Sequence, residues 1–249
     1  MTLEEFFLEN NKVAIGFSGG VDSSYLLYAA KKYGAEIKPY FIKTQFQPDF
    51  ELLDAYKLAK HLNICIKKID FDILSDPLVA KNPENRCYHC KLALFGLLKK
   101  NALKDGFSVM IDGTNASDDE GDRPGMKAIS ELSVLSPLKI CGITKKEVRR
   151  LSKEAGLFIW DKPSYSCLAT RIKTNEKITA GTLLKIEKAE SLLFSLGFLD
   201  FRVRVSENNA NLQLKKADFE RLINNKNIIY KNLSTDFDNI FLDLKERQE

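Results

Sequence analysis

The segment that most constrains the fold of this chain is SGGVDSS, residues 18–24. It follows the apolar run of residues 13–17, which predicts a strand, and precedes residues 25–30, which predict a helix. A glycine turn between a strand and a helix directs backbone N–H groups and the positive end of the helix dipole towards one point. The segment therefore predicts an anion site, and specifically a phosphate loop.

The residue types inside this segment agree with phosphate binding. Its two glycines allow a close approach of the backbone, its serines add hydroxyl donors, and Asp22 can orient the loop or hold a Mg²⁺ ion. The patterns G-x-x-x-x-G-K-[ST] and G-x-G-x-x-G do not occur, which argues against a Walker-type NTPase and a dinucleotide site. The nucleotide-binding residues predicted here are Gly16, Ser18, Gly19, Gly20, Asp22, Ser23 and Ser24.

Apolar and helical patterns alternate through the first part of the chain. Strands are predicted at residues 37–42, 64–69 and 107–111, and helices at residues 50–61 and 91–100. A capping box at residues 144–147, TKKE, predicts a further short helix that ends near Gly156. This alternation predicts an α/β fold, a doubly wound parallel sheet with its site at the carboxyl edge. A helix at residues 183–196 and strands at 201–205, 211–214 and 240–244 predict a second, smaller α+β domain. The predicted domains are residues 1–174 and 175–249.

The chain has five cysteines and no export signal, so a disulfide framework is not expected. Cys87 and Cys90 lie three residues apart at a helix start, where both sulfurs face one side. Such a pair is a redox site, half of a zinc site, or two of three ligands of an iron–sulfur cluster. Cys167, in an irregular polar loop, is the third candidate, whereas Cys65 and Cys141 are interpreted as core residues.

Only two histidines are present, so we rank zinc below a cluster held by three cysteines. Arg202 and Arg204 alternate around Val203 on a predicted strand, which places both guanidinium groups on one face. Two such groups suit a phosphate or a dicarboxylate, and a solvated sheet face is the equal alternative.

The overall charge does not favour nucleic acid. The net charge is +4, from 38 basic and 34 acidic residues. The chain has no run of about 18 apolar residues, and its N-terminus is acidic. We therefore expect a cytoplasmic protein with no membrane segment and no nucleic-acid partner.

The phosphate loop resembles the SGGxDS signature of the PP-loop, or N-type, ATP pyrophosphatases. That resemblance implies cleavage of ATP to AMP and pyrophosphate. Residues 112–115, DGTN, are similar to the second signature of this superfamily and imply nucleotide contacts at Gly113 and Thr114. On turn chemistry alone these residues are also compatible with a plain β-turn.

Three further segments, RCYHCK, KPSYSCLATR and FRVRV, follow in an order that closely resembles the LarE family. These ATP-dependent sulfur transferases make the nickel-pincer nucleotide cofactor of lactate racemase. The resemblance implies adenylation of pyridinium-3,5-biscarboxylic acid mononucleotide and sulfur insertion to give a thiocarboxylate. It also implies ATP and Mg²⁺ as cofactors, a sulfur source, and a homo-oligomer, a hexamer in this family.

The resemblance assigns roles to single residues. Cys167 matches the sulfur-transferring cysteine, which in some members loses its own sulfur. In members that also carry C-x-x-C, the three thiols hold a [4Fe-4S] cluster that delivers an added sulfide. Because Cys87 and Cys90 are present, we expect the cluster type, with Asp22 assisting catalysis. The implied substrate-binding residues are Ser164, Arg171, Arg202 and Arg204.

Two departures from the family concern the second domain. The sequence continues after Arg204 with Val-Ser-Glu where His-Gly is common, and Gln213 stands where a glutamate is usual. These departures bear on substrate identity and not on adenylation.

Three other classes are weighed against this interpretation. A tRNA thiolase also joins a PP-loop to a cysteine cluster, but needs an extended basic surface or an RNA module. An amidating ligase does not require three cysteines. An iron–sulfur carrier has no need of ATP, so this class does not account for the phosphate loop.

Overall fold

The computed structural model describes residues 1–118 and 124–247. The chain divides into two compact units. The first consists of Met1–Ile73 and Asn85–Ser164, and the second of Leu74–Glu84 and Tyr165–Glu249. The assignment of residues 1–174 and 175–249 as functional domains stays a prediction.

The described residues of the first unit form a four-stranded parallel sheet in the order β3-β2-β1-β4. This sheet confirms the predicted α/β class. The strands are β1 (Lys12–Gly16), β2 (Glu36–Lys43), β3 (Lys67–Asp70) and β4 (Val109–Ile111).

Helices cover both faces of this sheet because successive side chains of a strand point to opposite faces. Val13 and Ile15 of β1 pack into one apolar core, and Ala14 between them packs into a second. The helices of this unit are α1 (Leu3–Glu9), α2 (Val21–Lys32), α3 (Asp49–His61), α5 (Arg86–Lys104), α6 (Pro124–Glu131), α7 (Pro137–Ile140) and α8 (Lys145–Glu154). The intervening helix α4 (Pro77–Ala80) belongs to the second unit.

Two local predictions in this unit have different outcomes. The capping box at Thr144 is confirmed, because its side chain accepts from the backbone of Glu147 and the Glu147 carboxylate accepts from Thr144 N. The interpretation of Cys65 as a core residue is wrong, since this cysteine is exposed. The strand begins only at Lys67, so Cys65 lies in the segment before it.

The described residues of the second unit form a three-stranded mixed sheet in the order β5-β6-β7. Strands β5 (Arg202–Ser206) and β6 (Asn209–Gln213) are antiparallel, and β7 (Ile240–Leu242) is parallel to β6. Glu207 and Asn208 join β5 to β6 with φ values of 49° and 62°, the geometry of a tight type I′ hairpin. Helices α9 (Ala180–Ser195) and α10 (Phe219–Leu233) complete the unit.

In the described part of the chain, no helix combines the length and the apolar character needed to cross a membrane.

Candidate functional site

The phosphate loop connects the end of β1 to the start of α2, as the sequence predicted. The Ser23 hydroxyl braces it, because its Oγ accepts from Ser18 N at 3.3 Å and donates to Gly20 O at 3.2 Å. The Ser18 hydroxyl lies 3.1 Å from that of Ser23 and accepts from Gly20 N at 3.4 Å. The loop is therefore braced by hydrogen bonds among its own residues.

Two glycines are required by close packing around this loop. Gly19 has φ +74°, and a Cβ there would lie 2.9 Å from Glu51 O in α3. A Cβ on Gly113 would lie 2.7 Å from Ser23 N. The turn after β4 therefore packs directly against the phosphate loop.

Asp112 organises that turn. Its carboxylate is buried and accepts from Thr114 N at 3.2 Å, from Thr114 Oγ1 at 2.7 Å and from Ser136 Oγ at 2.7 Å. Asn115 Nδ2 then donates to Asp22 Oδ1 at 3.3 Å. The structure thus joins the two segments that the sequence marked as nucleotide-binding.

Asp22 has a second partner that the sequence analysis did not identify. Lys145, the first residue of α8, donates from Nζ to Asp22 Oδ2. No spacing rule links two residues 123 positions apart, and the only local signal was the capping box that starts the helix. The Lys145 ammonium is therefore brought to the phosphate loop by the tertiary structure alone.

A small apolar cavity of about 150 Å³ adjoins the loop. Ser18 and Gln47 are its polar lining residues, and a Cβ on Gly16 would lie 3.1 Å from the Phe95 ring. The remaining lining residues are Gly16, Phe17, Tyr40, Phe41, Ile42, Leu94, Phe95 and Leu98. The cavity has the character of a site for a flat apolar group beside a phosphate.

Cys87 and Cys90 lie in the first turns of α5, in the first unit. Cys87 is exposed and Cys90 is half-buried. Arg86 is buried, and its Nη2 lies 3.7 Å from Cys87 Sγ. Its guanidinium carbon lies 6.0 Å from the centre of the Phe46 ring. Two thiols three residues apart on one helix face can ligate one metal group.

Cys167 lies in the second unit, immediately before a short 3₁₀ helix, Leu168–Arg171, and is half-buried. Arg171 Nη1 donates to Ser166 O at 2.9 Å, to Thr170 Oγ1 at 2.8 Å and towards Cys167 O at 3.4 Å. Arg171 is 1% exposed. One guanidinium therefore fixes the backbone on which the Cys167 thiol is carried.

Glu190 of α9 is the counter-charge of Arg171. Its oxygens accept from Arg171 Nε at 2.8 Å and from Nη2 at 3.1 Å. Glu190 also accepts from the hydroxyl of Tyr165 and from Val203 N, the latter at 3.0 Å. Burial alone would lower the pKa of Arg171, but the hydrogen bond and charge of Glu190 together raise it. The substrate contact predicted for Arg171 stays a prediction.

Arg202 and Arg204 project from β5 with very different exposure. Arg202 is buried, donates to Phe201 O at 2.6 Å and lies over the Tyr165 ring at 5.3 Å. Burial, followed by the charges of Arg171 and Arg247, lowers the pKa of Arg202 to about 10. Partial burial of the otherwise exposed Arg204 and the charges of the same two arginines lower its pKa. This crowding of positive charge favours an anion.

Exposed Arg204 lines an open groove of about 870 Å³ in the second unit. Its Nε donates to Gln213 Oε1 and its Nη1 to Thr170 O, both at 3.1 Å. Lys173 and Asp243 also line the groove. Gln213 therefore orients the arginine without neutralising it.

Ser164 is exposed and is the last residue of the first unit. Among the described residues, no group of three or more His, Cys, Asp or Glu side chains is placed to hold a metal. The proposed ligands are divided between the units, with Cys87 and Cys90 in the first and Cys167 in the second. The predicted cluster, and the roles predicted for these residues, stay predictions.

Known proteins are similar to this chain over one segment or over most of its length. A family model described as the tRNA methyl transferase HUP domain matches residues 11–76, which include β1, the phosphate loop and β3. An uncharacterised protein of Synechocystis sp. is 36% identical over 89% of this chain and 83% of its own length.

Two relatives carry functional names. The pyridinium-3,5-bisthiocarboxylic acid mononucleotide synthase of Lactiplantibacillus plantarum is 29% identical over 87% of this chain and 79% of its own length. A tRNA-specific 2-thiouridylase of Thermotoga petrophila is 28% identical over 61% of this chain and 54% of its own length. Similarity to the first therefore extends over more of both chains.

Proposed function

Because this chain belongs to the LarE family of PP-loop, ATP-dependent sulfur transferases, we propose that it acts on pyridinium-3,5-biscarboxylic acid mononucleotide. ATP adenylates a carboxylate of this nucleotide, and sulfur then replaces the activated oxygen to give a thiocarboxylate. The product serves the synthesis of the nickel-pincer nucleotide cofactor. The observation that carries the proposal is the braced phosphate loop, joined through Asp22 and Asn115 to the turn after β4.

Adenylation follows from the groups around the loop. The adenine ring occupies the apolar cavity beside Phe95, and the phosphates lie over the N-terminus of α2. The substrate carboxylate attacks the α-phosphorus, the bond to the bridging oxygen breaks, and pyrophosphate leaves. Asp22 is the residue that would hold the Mg²⁺ ion of Mg²⁺-ATP, which would neutralise part of the phosphate charge. The acyl group then carries AMP, a far better leaving group than oxide.

Sulfur transfer requires a thiolate or sulfide at the acyl carbon. Cys87, Cys90 and Cys167 are the proposed ligands of a [4Fe-4S] cluster. The pair on α5 fits two of these positions, since its thiols share a helix face and Cys87 is exposed. When bound, the cluster supplies an iron site that can carry a sulfide. The network of Arg171 and Glu190 holds the Cys167 backbone in a fixed position.

The acceptor is an anion, and the second unit offers matching charge. Arg204 is exposed at a polar groove that Arg171 also lines, and Arg171 and Arg202 both lie over the Tyr165 ring. An anionic group beside these arginines would offset the burial and the mutual repulsion that together lower the pKa values of Arg202 and Arg204. We propose that Arg202 and Arg204 bind the substrate phosphate, with Ser164 and Arg171 as further candidates for substrate contacts.

A tRNA thiolase is the second candidate, favoured by the match to the 2-thiouridylase of Thermotoga petrophila. It also adenylates its acceptor, but its acceptor is a large polyanion. The balanced net charge of +4 gives little support for such a partner.

AMP formation with defined acceptors separates these candidates. Purified protein is incubated with Mg²⁺-ATP and either the pyridinium mononucleotide or unmodified tRNA, and AMP is measured. AMP formation that depends on the pyridinium compound and is lost in Asp22→Asn supports the proposal. Stimulation by tRNA alone would favour the thiolase. Size-exclusion chromatography of the same sample tests the proposed hexamer.

A further inference from the structure

The ion pair between Lys145 and Asp22 has no role in the mechanism described so far. Lys145 donates from Nζ to Asp22 Oδ2, and its backbone N donates to Ser117 Oγ at 3.0 Å. The side chains of Lys145 and Asp22 are 31% and 22% exposed, respectively. The pair is therefore sheltered but open enough for a ligand to reach it.

Asp22 creates an electrostatic problem for a phosphate loop. It lies in the first turn of α2, where backbone N–H groups collect an anion, yet its own charge repels one. Asn115 adds a dipole and no charge. Within the part of the chain that the structure describes, Lys145 is the one basic residue ion-paired to residues 18–24. The balance of charge at the loop thus depends on this lysine.

We propose that Lys145 is a pyrophosphate-binding residue, held at the loop by Asp22 until Mg²⁺-ATP arrives. This inference rests on the proposed function. Asp22 would hold the metal ion of Mg²⁺-ATP, and the Lys145 ammonium, released from this carboxylate, would turn to the β- and γ-phosphate oxygens. A Lys side chain suits this exchange, because it is a compact charge on a flexible stem and needs no backbone movement.

The chemical consequence concerns the leaving group. When the acceptor oxygen bonds to the α-phosphorus, the bond between that phosphorus and the bridging oxygen breaks. The electron pair stays on the bridging oxygen, which becomes part of pyrophosphate. Lys145 keeps its proton and neutralises the charge that develops there. Such stabilisation is larger in the transition state than in bound ATP, so it raises kcat.

Lys145→Gln is the test, with the exposed neighbour Lys146→Gln as the matched control. Removal of one such electrostatic group lowers the rate by about 10²-fold in comparable sites. We expect that loss in acceptor-dependent ATP–pyrophosphate exchange for Lys145→Gln, partial recovery in Lys145→Arg, and no change in Lys146→Gln. Affinity for Mg²⁺-pyrophosphate should fall at least tenfold in Lys145→Gln, whereas affinity for AMP, which lacks those phosphates, should be unchanged.

The difference between the affinities of Lys145→Gln for pyrophosphate and for AMP distinguishes this role from a structural one. If Lys145 only neutralised Asp22 or supported the loop, both ligands would lose affinity together. Unchanged pyrophosphate binding in Lys145→Gln would overturn the inference. Should the variant not fold, wild-type protein is labelled with an amine-reactive acylating reagent. Protection of Lys145 by Mg²⁺-pyrophosphate, without protection of Lys146, supports the assignment, and equal labelling overturns it.

The two proposals can fail separately. Absence of ATP–pyrophosphate exchange in wild type with the pyridinium acceptor counts against the proposed function. Direct binding of Mg²⁺-pyrophosphate, which needs no acceptor, still decides the role of Lys145.

Discussion

Glu190→Gln tests how the loop of Cys167 is held. The Arg171 and Glu190 side chains are 0% and 2% exposed, and the pair forms two hydrogen bonds. The substitution preserves the shape of the residue but removes the negative charge that pairs with the Arg171 guanidinium. Removing one partner of a buried ion pair costs about 3–5 kcal/mol. Because the amide can still accept one hydrogen bond, we expect a loss near the lower value, roughly 3 kcal/mol.

Thermal unfolding by calorimetry or circular dichroism measures this cost. For a chain of this size, about 3 kcal/mol corresponds to a fall in Tm of roughly 6–12 °C. The control is Asp236→Asn, which breaks the exposed pair that Lys188 of the same helix forms at 2.7 Å. That change should cost less than about 1 kcal/mol. A loss for Glu190→Gln no greater than for Asp236→Asn would refute the reasoning.

Three further changes have expected outcomes. Gly113→Ala places a Cβ 2.7 Å from the backbone N of Ser23 in the phosphate loop, so the KM for ATP should rise by tenfold or more. Gly96→Ala is the control, because a Cβ there meets nothing within 4 Å and the KM for ATP should be unchanged. Arg204→Ala should raise the KM for the anionic acceptor and leave that for ATP within about twofold, as measured by initial rates. Burial opposes ionisation of Asp200, but two basic partners outweigh it and hold its pKa below the ordinary value. The stability contributed by Asp200 is therefore present above about pH 4 and lost as the pH falls further, so Asp200→Asn should flatten the acid limb of unfolding followed by circular dichroism.

The first unit was largely predictable because its signals are local. An apolar run, a glycine turn and a helical pattern identify β1, the phosphate loop and α2 without reference to distant residues. The turn at Gly113 was placed correctly at the sheet edge, since the carboxyl ends of parallel strands meet there. Sequence alone gave no sign that a Cβ on Gly113 would clash with the loop.

The missed features depend on contacts between distant residues. Lys145 meets Asp22 across 123 positions, and Glu190 meets Arg171 across 19. The pattern CLATR describes a polar loop, so the complete burial of Arg171 could not be inferred from it. Cys65 was misplaced because isoleucines on both sides suggested a strand that in fact starts two residues later.

The measurement that tests the account most directly is the yield of thiocarboxylate per chain. Protein purified without oxygen and reconstituted with iron and sulfide is incubated with excess Mg²⁺-ATP, sulfide and the pyridinium mononucleotide. Mass spectrometry then counts the product and weighs the intact chain. We expect several thiocarboxylates per chain, an unchanged protein mass, and loss of turnover in Cys87→Ala. A single equivalent with one sulfur missing from Cys167 would contradict the cluster, and no thiocarboxylate at all would contradict the proposed function.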